Sequence, residues 1–293
     1  MLDLQNVTKT FGNVKALDDL TMTVPRGAVY GLVGPNGAGK STAIRCLLGV
    51  YRPDCGTVTL DGAPVYENPV AKARIGSIPD DIFYFPSATM EDMRKFYQGI
   101  YPKFDQTLYY KLFEAFDLPK KAPLRRCSKG MQKQAAFHLT LCTRPEVLIL
   151  DEPVDGLDPV MRRQVWSLIL SEVAKEETTV LISSHKLRER EDICDHVGIM
   201  DHGRMLLQRS LADMQGATHK LQLVGNIPEG LEILHQNQSG RLTTLIVRGK
   251  AEDIAAKAQA AQCVYFDVLP LSLEEIFIYE MGGVNYEVKN IVL

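Results

Sequence analysis

Apolar and polar positions alternate with a period of two from Leu2 to Val7 and from Leu20 to Val24, the pattern of half-buried strands, with Phe11-Gly12-Asn13 as a turn between them. Ala28 to Val33 is a continuous apolar run and predicts a buried strand; Ser41 to Leu48 then reads as a helix. Gly56 to Leu60 is a short strand closed by Asp61-Gly62, and Ile75 to Ile78 is another that runs into Pro79-Asp80-Asp81. Val147 to Leu150 and Val180 to Ser184 are unbroken apolar runs, which suit parallel strands covered by helices on both faces. Between them, Val165, Trp166, Leu168, Ile169 and Val173 give Val160 to Ala174 a helical period. A hairpin follows at Val197 to Met200 and Arg204 to Leu207.

From Met90 to Leu118 the pattern is helical and rich in aromatics (Phe96, Tyr97, Tyr101, Phe104, Tyr109, Tyr110, Phe113, Phe116). These rings are expected to pack a small helical subdomain rather than to stack on bases. The basic residues Lys120, Lys121, Arg125 and Arg126 then read as a solvated loop. Near Gly216 the register changes to a small α+β unit, with strands near 220–224, 242–248 and 263–268 and a helix near 251–261. An amphipathic segment from Leu273 to Met281 follows, its apolar face drawn from Leu273, Ile276 and Phe277.

With 293 residues, the chain can hold one large α/β domain and a smaller one. Its apolar fraction of 45% and charged fraction of 24% are those of a globular protein, and a net charge of −3 argues against a nucleic-acid-wrapping surface. Six cysteines without Cys-x-x-Cys spacing are expected to be reduced thiols with no disulfide partner. No apolar run approaches a membrane span, and Met-Leu-Asp-Leu-Gln-Asn lacks the layout of a signal peptide, so a membrane role is expected to run through a partner.

Candidate chemistry enters at Gly34-Pro35-Asn36-Gly37-Ala38-Gly39-Lys40-Ser41, a full match to G-x-x-x-x-G-K-[ST] between a predicted strand and a predicted helix. Its glycines let backbone N–H groups face phosphates, Lys40 adds a positive charge for the β- and γ-phosphates, and the Ser41 hydroxyl can ligate Mg²⁺. The helix that follows favours the phosphates through its dipole. After the strand Val147 to Leu150 come Asp151 and Glu152. Beside a phosphate loop, Asp151 can hold Mg²⁺, often through a water, and Glu152 can orient or deprotonate an attacking water.

Further landmarks follow in the order found in ABC-transporter ATP-binding subunits, and residues 1 to about 215 resemble that family throughout. Ser128-Lys129-Gly130-Met131 with Gln132 resembles its signature, usually Leu-Ser-Gly-Gly-Gln. Asp155-Gly156-Leu157-Asp158 resembles its D-loop, His185 sits where its switch histidine falls, and Phe11 matches the aromatic that stacks on adenine. The Ser-Lys-Gly-Met form resembles the subset serving ABC-2-type exporters, including Ytr-like and Ecs-like systems. The resemblance implies an α/β fold: a P-loop NTPase core of ABC ATPase type (1–215) with a helical subdomain (about 88–140) and a small C-terminal α+β accessory domain (216–293).

The same resemblance implies an ATPase with ATP and Mg²⁺ as cofactors. Phe11, Gly34 to Thr42, Ser128, Gly130 and Asp158 would bind nucleotide, Glu152 and His185 would act in hydrolysis, and Ser41, Asp80 and Asp151 would hold the metal. Two ATPase domains, identical or related, would pack head to tail with each ATP between one phosphate loop and the other domain's signature. The implied partner is an integral-membrane permease, which puts the chain on the cytoplasmic face of the plasma membrane; the alternative is a non-transport ABC ATPase acting on ribosomes or DNA. Lys129 and Met131 depart from the signature, Asp155 from the usual Ser, and Asp80 from the usual Gln. Asp80 can ligate Mg²⁺; the alternative for Asp80 and Asp81 is a solvated turn.

Overall fold

A computed structural model describes residues 1–116, 118–155, 157, 159–176, 178–185, 193–213, 218–271 and 275. It comprises two compact units, Met1–His185 with Gly198–Gln208, and Lys186–Val197 with Arg209–Leu293.

Two sheets have their strands wholly or mainly in the first unit. β1 (Leu2–Phe11) and β2 (Val14–Val24) form an antiparallel hairpin longer than the alternation alone predicts, turning at Gly12, whose φ is 57°. β4 (Cys55–Leu60) pairs with the other edge of β1 and turns through Asp61 and Gly62, both at positive φ, into β5 (Ala63–Pro64). The second sheet has the order β10-β9-β3-β8-β7-β6. Its members are β3 (Val29–Val33), β6 (Ile75–Ile78), β7 (Val147–Asp151), β8 (Thr179–Ser184), β9 (His196–Asp201) and β10 (Arg204–Ser210).

β3, β8, β7 and β6 pair in parallel, and every residue of β3, β7 and β8 is buried. That is why those runs carry no polar alternation. A shared core joins Leu2, Leu4, Leu20 and Met22 to Tyr30, Ile149, Leu181 and Leu47 of α1 (Lys40–Leu47). Each such buried Leu is worth roughly 2 kcal/mol.

Asn68 caps the short α2 (Pro69–Lys72) by accepting from the Ala71 N–H. The helical pattern expected from Met90 to Leu118 is two helices, α3 (Met90–Ile100) and α4 (Gln106–Ala115). Pro102 accounts for the break, since it cannot continue a helix and restricts the residue before it. Thr89 and Asp92 form a capping box on α3, and Asp105 caps α4. The expected ring packing holds in part. Tyr109, Phe113 and Phe116 surround the buried His138 of α5 (Lys129–Leu141), whereas Phe83, Phe85, Phe96 and Tyr110 are exposed. α6 (Pro159–Glu176) follows β7. Among the described residues no helix is long and apolar enough to cross a membrane.

The second unit contains an antiparallel sheet of order β12-β13-β11-β14 and the helix α7 (Ala251–Ala260). The strands are β11 (Thr218–Val224), β12 (Glu232–Ser239), β13 (Leu242–Arg248) and β14 (Tyr265–Pro270). Leu221, Leu223, Leu245, Val247, Ile254 and Ala258 form its core. β12 is not predicted from sequence: Glu-Ile-Leu-His-Gln-Asn-Gln-Ser has no apolar alternation, and as an exposed edge strand it needs none. The expected boundary at 215/216 and, apart from Glu275, the segment Leu273 to Met281 lie outside the described residues.

Candidate active site

The loop from Gly34 to Gly39 leaves the end of β3 and enters α1. Gly34 is obligatory here: a Cβ would stand 2.2 Å from the Met200 carbonyl oxygen. Its N–H donates to Ser184 O at 3.4 Å, tying the ends of β3 and β8 together. Gly39 precedes the helix with a φ of 102°, and a Cβ there would meet Ala16 O at 2.6 Å. No side chain caps α1 and its first turn carries no acid, so its leading N–H groups are open to an anion. Ala38 is buried, Asn36, Gly37 and Ser41 are exposed, and Pro35 and Thr42 are half-buried. Lys40 folds back over the loop and donates from Nζ to Gly34 O at 2.6 Å and Pro35 O at 3.1 Å. Burial lowers the Lys40 pKa, and the Glu152 and Asp151 carboxylates oppose that shift.

Those carboxylates stand at the end of β7 beside the end of β8. Ser183 donates from Oγ to Asp151 Oδ1 at 2.5 Å and accepts from the Glu152 N–H at 3.0 Å. Glu152 has a φ of 46°, uncommon for a residue with a side chain. Its Oε1 lies 3.1 Å from His185 Nδ1, and Asp155 Oδ2 lies 3.7 Å from the same nitrogen. Glu152 Oε2 is buried and accepts no hydrogen bond among the described residues. Burial raises the Glu152 pKa, while His185 and Lys40 pull it down. A buried carboxylate with one oriented oxygen and one unengaged oxygen is suited to accept a proton from water.

The other expected site residues fall in three places. Phe11 is exposed beside β1's turn, edge-on to Tyr51 with ring centroids 5.2 Å apart, and Lys9 Nζ lies 5.5 Å from its centroid. Arg45 Nη1 donates to the Tyr51 hydroxyl at 3.3 Å, so Phe11 has a supported ring behind it. Ser128 is the exposed N-cap of α5, accepting from the Met131 N–H at 3.2 Å, and Gly130 follows in its first turn. Asp80 is exposed, its Oδ1 3.7 Å from Lys133 Nζ. Asp158 and Gly156 lie outside the described residues.

Magnesium fits this site through the chemistry of its donors. Ser41 and Asp151 supply hard oxygens, and Asp151 is held at β7's end by Ser183. Sequence reasoning missed Ser183, Lys133 and Tyr51. Ser183 had a readable signal, a polar residue ending an apolar parallel strand next to the candidate site. Lys133 had none, since a helical lysine is ordinarily solvated.

Residues 17–155 match the family model described as ABC transporter. The chain is 30% identical over 288 residues to the ABC transporter ATP-binding protein YtrB of Bacillus subtilis, covering 97% of this chain and 99% of that protein. It is 34% identical over 239 residues to the Nod factor export ATP-binding protein I of Sinorhizobium fredii, covering 78% of this chain and 69% of that one. The fold matches the dimeric structure of a bacterial ABC transporter cassette with a TM-score of 0.65 at 20% identity, over 72% of this chain and 99% of the other. With the loop, the paired strand-end carboxylates and a relative matched along nearly its whole length, the chain belongs to the ABC transporter ATP-binding proteins and is the ATPase subunit of a transporter.

Proposed function

We propose that this subunit binds Mg–ATP on the loop Gly34 to Thr42, pairs head to tail with a second ATPase subunit, and powers export through a separate membrane permease. The observation that carries the reading is the Glu152 carboxylate, with Oε1 facing His185 Nδ1 and Oε2 buried and unengaged. Glu152 Oε2 accepts the proton of the attacking water. His185 holds Oε1 and reaches toward the γ-phosphate. Lys40 exchanges the Gly34 and Pro35 carbonyls for phosphate oxygens. Ser41 and Asp151 would hold Mg²⁺, with Asp80 as a further ligand, and the bound metal would supply neutralisation of phosphate charge. Phe11 stacks on the adenine.

Ser128, Gly130 and the N-terminal amides of α5 face the partner's γ-phosphate, and Asp158 couples the two sites. The exposure of Ser128 and Lys129 supports this role. So does the dimeric assembly of the structurally similar cassette. An exposed aromatic run, Phe83 to Phe85 at 6.2 Å and Phe85 to Phe96 at 5.3 Å, supports a permease contact beside Asp80. Residues 1–215 form the ATPase domain with helical subdomain 88–140, and 216–293 an accessory domain. Export is supported by the Nod factor relative, an export ATP-binding protein. The permease keeps the subunit on the cytoplasmic membrane face.

Glu152→Gln tests the reading. The variant should bind Mg–ATP, migrate as a dimer in size exclusion and hydrolyse at least about 100-fold more slowly. Normal turnover by that variant removes Glu152 from the base role, and failure of the wild type to co-purify with any polytopic membrane protein removes the separate permease from the proposal.

A further inference from the structure

Lys133 stands one turn into α5, and its side chain is only 8% exposed. Its ammonium donates to Glu152 O at 3.0 Å and to Asp155 O at 2.9 Å, and faces Asp80 Oδ1 at 3.7 Å. Burial lowers the Lys133 pKa, and the Asp80 and Asp155 carboxylates oppose that shift. A cation placed there closes the turn Glu152–Asp155 from behind. The turn needs closing because Glu152 holds a φ of 46°, a conformation that side-chain-bearing residues avoid unless their surroundings impose it.

Ser183 Oγ takes the Glu152 N–H and Lys133 takes the Glu152 carbonyl, so both backbone polar groups of this residue are gripped from opposite sides. The same helix begins at Ser128, which places its N-cap and the grip on Glu152 on one rigid element.

We infer that Lys133 is a positioning residue for ATP hydrolysis, a clamp that sets the aim of the Glu152 carboxylate by holding the carbonyls of Glu152 and Asp155. This rests on the reading of Glu152 as general base. Lys133 lies behind the turn and touches neither the phosphate loop nor His185 in any described contact. Its loss therefore acts on turnover and leaves nucleotide binding in place. A displacement of the base by about 1 Å suffices to cost on the order of 100-fold in rate.

The test is a double-mutant cycle on the full chain with Lys133→Met, which keeps the length and loses the donors, Lys133→Arg, which keeps charge and donors, and Glu152→Gln. Lys133→Met should lower kcat by roughly tenfold or more with the dissociation constant for ATP within about twofold of wild type. Lys133→Arg should recover part of that loss. On the Glu152→Gln background Lys133→Met should change the residual rate by less than about twofold, because the group it aims is already gone. Unchanged turnover in Lys133→Met overturns the inference. So does a loss that is shared by ATP affinity and thermal stability and recurs undiminished on the Glu152→Gln background, the mark of a purely structural lysine. The base reading fails separately, by normal turnover of Glu152→Gln alone.

Discussion

The Nδ1 atom of His185, one residue past the end of β8, lies 3.1 Å from Oε1 of Glu152, one residue past the end of β7. Adjacent parallel strands thus deliver the two side chains to one point, and each limits the rotamer of the other. The second carboxylate near this nitrogen, Asp155 Oδ2 at 3.7 Å, is beyond hydrogen-bond distance. The distances therefore rank the two acids. His185→Ala should lower kcat by about 100-fold or more while ATP affinity changes only a few-fold. Asp155→Ser should stay within roughly threefold of wild-type turnover. Steady-state kinetics with an ATP titration for both variants checks the ranking, and equal losses would show that His185 depends on both acids.

Lys40→Ala should weaken ATP binding by about 10- to 100-fold, the cost of a lost charge-assisted contact. Lys40 also bonds Gly34 O and Pro35 O, so part of the loss comes from a loosened loop. Titration calorimetry with ATP reads the effect, and unchanged affinity defeats the assignment. Comparing AMP with ATP separates the two contributions. A loosened loop weakens both ligands, whereas a missing ammonium penalises only the one carrying β- and γ-phosphates.

Asp80 has two candidate partners, Mg²⁺ and the ammonium of Lys133 at 3.7 Å. Its side chain is 57% exposed, which leaves it free to turn from one to the other. Asp80→Gln should raise the Mg²⁺ concentration for half-maximal ATPase activity several-fold if the carboxylate reaches the metal, because a neutral amide is the weaker hard-cation ligand. Hydrolysis measured across a magnesium titration decides it. An unshifted midpoint with reduced kcat assigns Asp80 to Lys133 instead.

The phosphate loop, the strand ends and the cap on α5 were legible because each is written locally. Gly34 to Ser41 is one contiguous pattern, Asp151 and Glu152 close an apolar run, and Ser128 directly precedes its helix. What escaped was set by tertiary placement. Lys133 is identical in sequence terms to a solvated helical lysine, and only the packing of α5 behind the Glu152 turn buries it. Strand β12 escaped because an exposed edge strand needs no apolar face, and its pairing with β13 is a long-range fact. The break between α3 and α4 was readable at Pro102, but a continuous run of aromatics on either side concealed it. Those aromatics split into a set packed around His138 and an exposed pair, Phe96 and Tyr110, a division that periodicity alone does not make.

His138 gives the fold a pH dependence of its own. It is fully buried in α5 against Tyr109, Phe113 and Phe116, with Nε2 donating to Tyr109 O at 2.7 Å. Nδ1 is buried and has no partner among the described residues, so a proton arriving there would find no acceptor in them. Burial pushes the imidazole down to about 4, the Tyr109 bond opposing only in part. The folded pKa thus lies below the unfolded one near 6.5, and between the two the unfolded chain carries the extra proton. Stability from keeping His138 neutral is complete above about pH 6.5 and is lost as pH falls toward 4, with a limiting slope of about 1.4 kcal/mol per pH unit. His138→Phe keeps a ring in this pocket and cannot titrate. Urea denaturation of both proteins at pH 7.5 and pH 5 should show the wild type losing roughly 1–2 kcal/mol more than the variant over that interval. Parallel losses in the two proteins would mean that other groups carry the acid sensitivity and that His138 admits its proton without unfolding.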